Sequence, residues 1–173
     1  MATFTERAVD ALYDFLTDGS TGLNAETLPA MRSALSVGTD VLPNIGQIEK
    51  WYHRGPQATA FPYLSIVVNT PSGETELNSR LYSVTFDLGL VVLGQNIAGN
   101  EVAVMTAAWR YGDALKTILQ RRTPMGKEGW TLDGSTRIVR ATVESQIPGS
   151  DPTIAADNVA LLTTVSVLTA EEF

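Results

Sequence analysis

Cysteine is absent from this chain of 173 residues, and histidine occurs only once, as His53. A chain without thiols has no disulfide, thiolate nucleophile, iron–sulfur cluster or cysteine-bound zinc. His53 stands beside Arg54 and has no identifiable partner that would make it a general base or a metal ligand. We therefore expect His53 to have a structural position.

Motifs of the common nucleotide-binding and hydrolytic enzymes are also missing. Neither the Walker phosphate loop nor Gly-x-Gly-x-x-Gly occurs, so a nucleotide would have no backbone-amide anchor. The Gly-x-Ser-x-Gly elbow and the calcium loop Asp-x-Asp-x-Asp-Gly are absent too. We expect a protein that is not an enzyme and needs no cofactor or metal. A small enzyme that brings Glu49, His53 and Arg54 into one pocket is the most distant alternative.

Basic residues are scarce compared with acidic ones. Twelve lysines and arginines stand against nineteen aspartates and glutamates, which gives a net charge of −7. This is the wrong sign for holding DNA or RNA by neutralising phosphates. No segment approaches the ~18 to 20 apolar residues of a membrane span, and the first residues do not resemble a signal peptide. We expect no membrane contact and a protein made in the cytoplasm.

The composition that remains is that of a folded protein. Hydrophobic residues make up 44% and charged residues 18% of the chain. A chain of this length buries roughly 70% of its unfolded surface around one core. We expect one α+β domain over residues 1–173.

Two main helices are predicted from apolar spacing. Residues 4–16 place apolar side chains at helical intervals, and Thr3 with Glu6 has the spacing of a capping box. A second helix runs from the cap Asn100 to about residue 122, and we assign Trp109 and Tyr111 to its packed side. Shorter helical stretches are expected before Pro29, where Asn24 can act as the cap, and over residues 29–35.

Four strands are predicted, at residues 63–69, 82–92, 137–147 and 158–168. They should form one mostly antiparallel sheet of about four strands, flanked by the two main helices. The strand over residues 82–92 alternates strictly, which indicates one buried face. In the strand over residues 137–147, we place Val139, Ala141, Val143 and Ile147 on one face. Residues 42–63 are expected to form a loop with one short edge strand at most.

The strand over residues 158–168 is apolar on both faces. Val165 and Val167 lie on one side, and Leu162 and Leu168 lie on the other. One sheet normally buries one face within its own chain, so the second apolar face predicts contact with another subunit. These four residues are the candidate subunit interface, and the sequence leaves open which pair is intersubunit.

Several segments resemble those of one known family. The chain resembles the tail-terminator proteins of tailed bacteriophages in three segments. These are Arg54-Gly55-Pro56 followed by the strand of residues 61–68 that begins with Phe-Pro, Arg80 before the alternating strand, and the helix around Trp109. The similarity extends over most of residues 4–168. Departures occur at residues 19–43, which are longer than expected, and at residues 127–135, which suggest an added hairpin.

The resemblance implies a structural virion protein. Such subunits form a ring, usually a hexamer, that caps the head-proximal end of the tail tube and joins it to the head connector. DNA passes through the channel without tight binding. The alternative is a neck or head-completion protein of the same virion, which uses the same ring logic with other axial partners.

The ring also implies positions for two further groups of residues. The polar loops over residues 70–79 and 127–135 should touch other virion proteins, and their candidate contact residues are Glu74, Glu76, Leu77, Lys127 and Trp130. A row of carboxylates at intervals of four on the first helix is the candidate channel wall, although a solvated helix face is the simpler interpretation. This row consists of Glu6, Asp10, Asp14 and Asp18.

Overall fold

A computed structural model describes residues 4–50, 60–76, 79–121, 131–133, 136–149 and 158–171. Within these residues there are three α-helices and one six-stranded sheet. The helices are α1 (Phe4–Thr17), α2 (Leu28–Leu35) and α3 (Glu101–Arg121). The strands are β1 (Gln47–Lys50), β2 (Tyr63–Glu76), β3 (Ser79–Leu93), β4 (Thr131–Asp133), β5 (Thr136–Gly149) and β6 (Asn158–Glu171). A π-helical turn (Leu23–Thr27) leads into α2, and a 3₁₀ turn (Gly94–Asn96) precedes α3.

The strands are ordered β1-β2-β3-β6-β5-β4 across the sheet. Only β1 and β2 are parallel, and each of the other neighbouring pairs is antiparallel. The α+β class and the mostly antiparallel sheet are confirmed. The predicted number of strands was too low, because the described residues form six strands, one of three residues. Helix α2 confirms the shorter helical stretch expected over residues 29–35.

The core lies between one face of the sheet and the helices. Helix α3 lies against β3, β5 and β6, whereas α1 lies against β1, β2 and β4, so the sheet curves around α1. Strand β3 buries its alternating side chains here, and Phe86 and Leu88 are fully buried, as its strict alternation predicted. The partners of β3 on β6 also contribute to this core, which includes Leu161, Val165 and Val167.

Helix α3 begins and packs as its sequence predicts. The Asn100 side-chain oxygen accepts a hydrogen bond from the Ala103 amide at 3.2 Å. The Tyr111 ring is buried, and its hydroxyl donates to the Pro43 carbonyl at 2.7 Å. Gly112 allows close approach to the sheet, because a Cβ there would stand 2.7 Å from a methyl carbon of Leu161.

The segment between α1 and β1 is fixed by contacts between residues distant in sequence. We expected Asn24 to cap a helix, but Gly22 occupies the cap position of the π-helical turn. The Asn24 amide instead donates to the Ile45 carbonyl at 2.9 Å and accepts from the Ile45 amide at 2.8 Å. Arg32 of α2 donates to the Leu42 carbonyl at 2.9 Å. These bonds position the chain directly before β1, the short edge strand that was expected in this region.

The polar stretch after residue 69 is strand rather than loop. Strand β2 continues to Glu76 and pairs with β3, so residues 70–76 and 79 belong to one long hairpin. Backbone pairing satisfies the polar groups of this stretch, although its side chains give no apolar alternation. The register shifts after Val68, so the regular pattern on which our prediction relied ends there.

Strand β5 changes face along its length. Its register against β6 shifts between Ile138 and Arg140 and again between Val143 and Ser145. Each extra residue moves the following side chains to the other face. Ala141 and Val143 therefore face the helices as predicted, but Ile147 does not share their face.

Candidate assembly surfaces

The sheet has one face away from the helices, and apolar side chains are exposed on it. Leu162 of β6 and Ile147 of β5 are directly paired on this face and are 41% and 57% exposed. We call these two residues the sheet patch. The solvent-facing side of an antiparallel sheet normally carries polar side chains. A cross-strand pair of large aliphatic side chains on that side therefore indicates a surface that another subunit covers.

Polar groups border the sheet patch on the β3 side. Gly89 of β3 is the partner of Leu162, and its carbonyl accepts a hydrogen bond from the Ser65 hydroxyl at 3.2 Å. Two residues further along β6, the Thr164 hydroxyl donates to an Asp87 carboxylate oxygen at 2.8 Å. The patch is thus an apolar centre with a hydrogen-bonded polar border, the arrangement usual in protein interfaces.

The structure places the four predicted interface residues on opposite faces. Leu162 is exposed and Leu168 is half-buried on the open face. Val165 and Val167 are completely buried in the core of their own chain, so they are not buried only by a partner. Ile147 was assigned to the core face from its spacing, and the register shift before Ser145 explains this error.

A second apolar surface lies on the outer side of α3. Val102, Met105 and Trp109 are 70%, 39% and 40% exposed. Their spacing of three and four residues puts them on one side of the helix. We call these three residues the helix stripe. Trp109 had been assigned to the packed side with Tyr111, and that assignment is wrong for Trp109. The spacing of Val102, Met105 and Trp109 was the signal that could have revealed the stripe.

The sheet patch and the helix stripe face in opposite directions. Helix α3 packs on the inner face of the sheet, where Gln146 donates to the Gly112 carbonyl at 2.8 Å. The neighbouring Ile147 points away from α3, and the helix stripe points away from the sheet. The chain therefore presents apolar groups on both outer sides of its helix and sheet layers.

The acidic row is exposed but is not a uniform negative surface. An Asp10 oxygen lies 2.7 Å from the Lys50 ammonium, and this bond raises the pKa of Lys50. The same ammonium lies 4.7 Å from the centre of the Tyr13 ring. Glu6 and Asp14 are also exposed on α1.

Asp18 lies after the end of α1 and closes a turn. One of its carboxylate oxygens accepts hydrogen bonds from the side chains and amides of Ser20 and Thr21, at 2.7 to 3.0 Å. These bonds hold the pKa of Asp18 well below its usual value. Asp18 therefore has a structural function of its own.

Of the predicted axial contacts, Glu74 and Glu76 lie on β2, near the end of the β2–β3 hairpin. Leu77, Lys127 and Trp130 lie outside the described residues. The expected hairpin in residues 127–135 is present in part, because β4 pairs antiparallel with the start of β5.

Of the residues considered for catalysis, Glu49 lies in the described part of the chain. Glu49 accepts hydrogen bonds from the Tyr63 hydroxyl at 2.8 Å and from the Gln47 amide. His53 and Arg54 lie outside the described residues. A cleft of about 360 Å³ lies between the end of α1 and β1, and Tyr13 and Asp18 are the titratable side chains in its lining. In the described part of the chain no three metal-ligating side chains are grouped.

No family model and no curated protein matches the chain. Among the described helices, none has the length and apolar character needed to cross a membrane.

Proposed function

We propose that the chain is a ring-forming structural subunit of a phage virion that caps the head-proximal end of the tail tube and joins it to the head connector. The observation that carries this proposal is the exposed sheet patch of Leu162 and Ile147 on the open face of the sheet. Burial of apolar surface is worth roughly 25 cal/mol per Å², so another subunit that covered this pair would be held there.

Two features of the sequence support the virion assignment. The segments at residues 54–56 and 61–68 and the helix around Trp109 are similar to tail terminators. The net charge of −7 suits a conduit through which DNA moves, because a channel rich in lysine and arginine would retain phosphates.

The first test is the state of the purified protein and its effect in the phage that encodes it. We expect a closed ring of about six copies by native mass spectrometry and electron microscopy. Leu162→Asp should give a folded monomer, and virions carrying it should have tails of uncontrolled length or unattached tails. Ser33→Asp is the matched control, because it adds the same charge at an exposed position on α2.

Three results would contradict the proposal. The first is a wild-type protein that remains monomeric both at high concentration and in virions. The second is a ring that purifies with filled heads and never with tail tubes, which would favour the neck protein instead. A catalytic activity that is lost in His53→Ala would favour the enzyme.

A further inference from the structure

The chain carries two exposed apolar surfaces that are not equivalent. The sheet patch is part of an open sheet face, and the helix stripe is a ridge of three side chains along α3. A twofold dimer through the sheet patch alone would leave the helix stripe in water. A dimer through the helix stripe alone would leave the sheet patch in water. One contact that joins the two different surfaces covers both.

We propose that the helix stripe of one copy of this chain packs on the sheet patch of the next copy, so that assembly is head-to-tail. This inference rests on the proposed function and specifies its subunit contact. Within each chain a helix already packs on a face of the sheet, because α3 covers β3, β5 and β6. The intersubunit contact would repeat that layering with the neighbour's α3 on the outer face of the same sheet.

The opposite directions of the two surfaces determine the symmetry. A contact between unlike surfaces is heterologous, and it adds copies in one direction around an axis. Such a series closes into a ring if the rotation between neighbours divides a full turn, and otherwise it grows as a filament. Because the surfaces lie on opposite outer sides of one protomer, each copy can bind two neighbours at once.

Charge favours this pairing of surfaces. Asp87 lies on the open sheet face beside Leu162, and Glu144 is exposed on neighbouring β5. Helix α3 carries the exposed Lys116 two turns after Trp109, on the same side, with Asp113 between them. The open sheet face therefore carries a carboxylate at Asp87, and the helix side carries a cation at Lys116 beside the carboxylate of Asp113. A sheet-to-sheet contact would bring Asp87 close to its own copy, whereas a helix-to-sheet contact can bring Lys116 to Asp87.

The decisive experiment mixes two variants, each with one surface disabled. Leu162→Asp and Trp109→Asp should each be monomeric, with self-association about 100-fold weaker than wild type. Mixed together, they should form a heterodimer, because each retains the surface that the other needs. Analytical ultracentrifugation measures the masses, and circular dichroism with thermal unfolding verifies that both variants are folded.

A second measurement uses the absence of cysteine in the chain. The pair Met105→Cys and Ile147→Cys in one chain should form disulfides between neighbours under mild oxidation, giving a ladder that ends at the size of the ring. Either cysteine alone should give no cross-linked dimer. Both positions are exposed, so these substitutions leave the core unchanged.

The inference fails separately from the proposed function. If wild type forms rings, Trp109→Asp also forms rings, and Ile147→Cys alone gives dimers, then the helix stripe takes no part in the ring contact and two sheet patches meet each other. The proposed head-to-tail contact is then wrong. If wild type forms no ring in solution or in virions, the proposed function fails and this inference fails with it.

Discussion

At the scale of single residues, Tyr111 shows how one polar atom fixes a buried side chain. Its ring is inside the core, and its hydroxyl reaches the Pro43 carbonyl in the segment before β1. Burial raises the pKa of this hydroxyl well above its usual value of 10.0. The neutral phenol is therefore the form that the folded chain requires.

Tyr111→Phe should lower the free energy of unfolding by about 1 to 2 kcal/mol, because the Pro43 carbonyl loses its donor while the ring remains. Urea unfolding measures the change. Tyr13→Phe is the matched control, since its half-buried ring keeps its place beside Lys50. An equal decrease in the free energy of unfolding in both variants would show that the hydrogen bond from Tyr111 to Pro43 does not account for the effect.

The same variant gives a pH dependence with a defined sign. The folded chain holds the Tyr111 proton more tightly than the unfolded chain, so unfolding releases a proton once the pH exceeds the unfolded pKa. The protonated Tyr111 hydroxyl makes its full contribution to the free energy of unfolding below about pH 10, and this contribution is lost as the pH rises above that value. Tyr111→Phe should lose stability less steeply over that range.

The residue-scale contacts that the sequence could not predict join distant positions. Asn24 and Ile45 exchange two hydrogen bonds across 21 positions, whereas we expected Asn24 to cap a local helix. An asparagine side chain can cap a helix, close a local turn or join two distant segments by hydrogen bonds. The choice among them depends on which chain segment folds back beside it.

At the scale of elements, the packing of α3 on the sheet depends on a small residue. A Cβ at Gly112 would stand 2.7 Å from Leu161 and 2.8 Å from Gln146. Gly112→Val should therefore destabilise the protein by about 1 to 3 kcal/mol, despite a small gain in helix propensity. Thermal and urea unfolding measure the loss. In Gly19→Val the new Cβ meets no atom within 4 Å, so this control should unfold like wild type.

Local patterns predicted some elements well and others badly. The cores of α1, α3 and β3 follow from regular spacing of apolar residues, and the structure confirms them. Strand β1 has four residues and depends on a parallel partner that follows it in sequence, so its pairing was not predictable. The continuation of β2 to Glu76 depends on backbone pairing rather than on side-chain alternation.

Of the five residues in the sheet patch and the helix stripe, only Leu162 was predicted from the local sequence pattern. Leu162 was identified because β6 is apolar on both faces, a pattern visible in the sequence. Ile147 was missed because the position of a register shift depends on the partner strand. Trp109 was missed because both sides of α3 carry aromatic or aliphatic residues. The spacing of Val102, Met105 and Trp109 reveals a second apolar side, but only packing determines which of the two sides the sheet covers.

At the scale of the whole molecule, the net charge leads to a prediction about DNA. In the proposed ring, six copies at −7 each would carry about −42 charges around the channel. The isolated protein should not retard duplex DNA in gel electrophoresis, even at low salt, where attraction is least screened. Salt-sensitive retention by the wild type would contradict this and would indicate a channel lined by Arg121, Arg122, Arg137 and Arg140.

A triple variant tests the acidic row itself. Glu6→Lys, Asp10→Lys and Asp14→Lys together change the charge of α1 and leave the turn at Asp18 intact. If this row lines the channel, rings of the variant should retain DNA in a salt-sensitive way. Rings that pass DNA as freely as wild type would exclude α1 from the channel wall.

The register shift in β5 between Val143 and Ser145 also has an evolutionary consequence. Loss of the single codon for Glu144 would remove the extra residue, and each later residue of β5 would keep its partner on β6. Gln146 would remain on the core face opposite Thr163, and Ile147 would remain on the open face opposite Leu162. A lineage could therefore gain or lose one codon at this bulge without losing the aliphatic pair that forms the sheet patch.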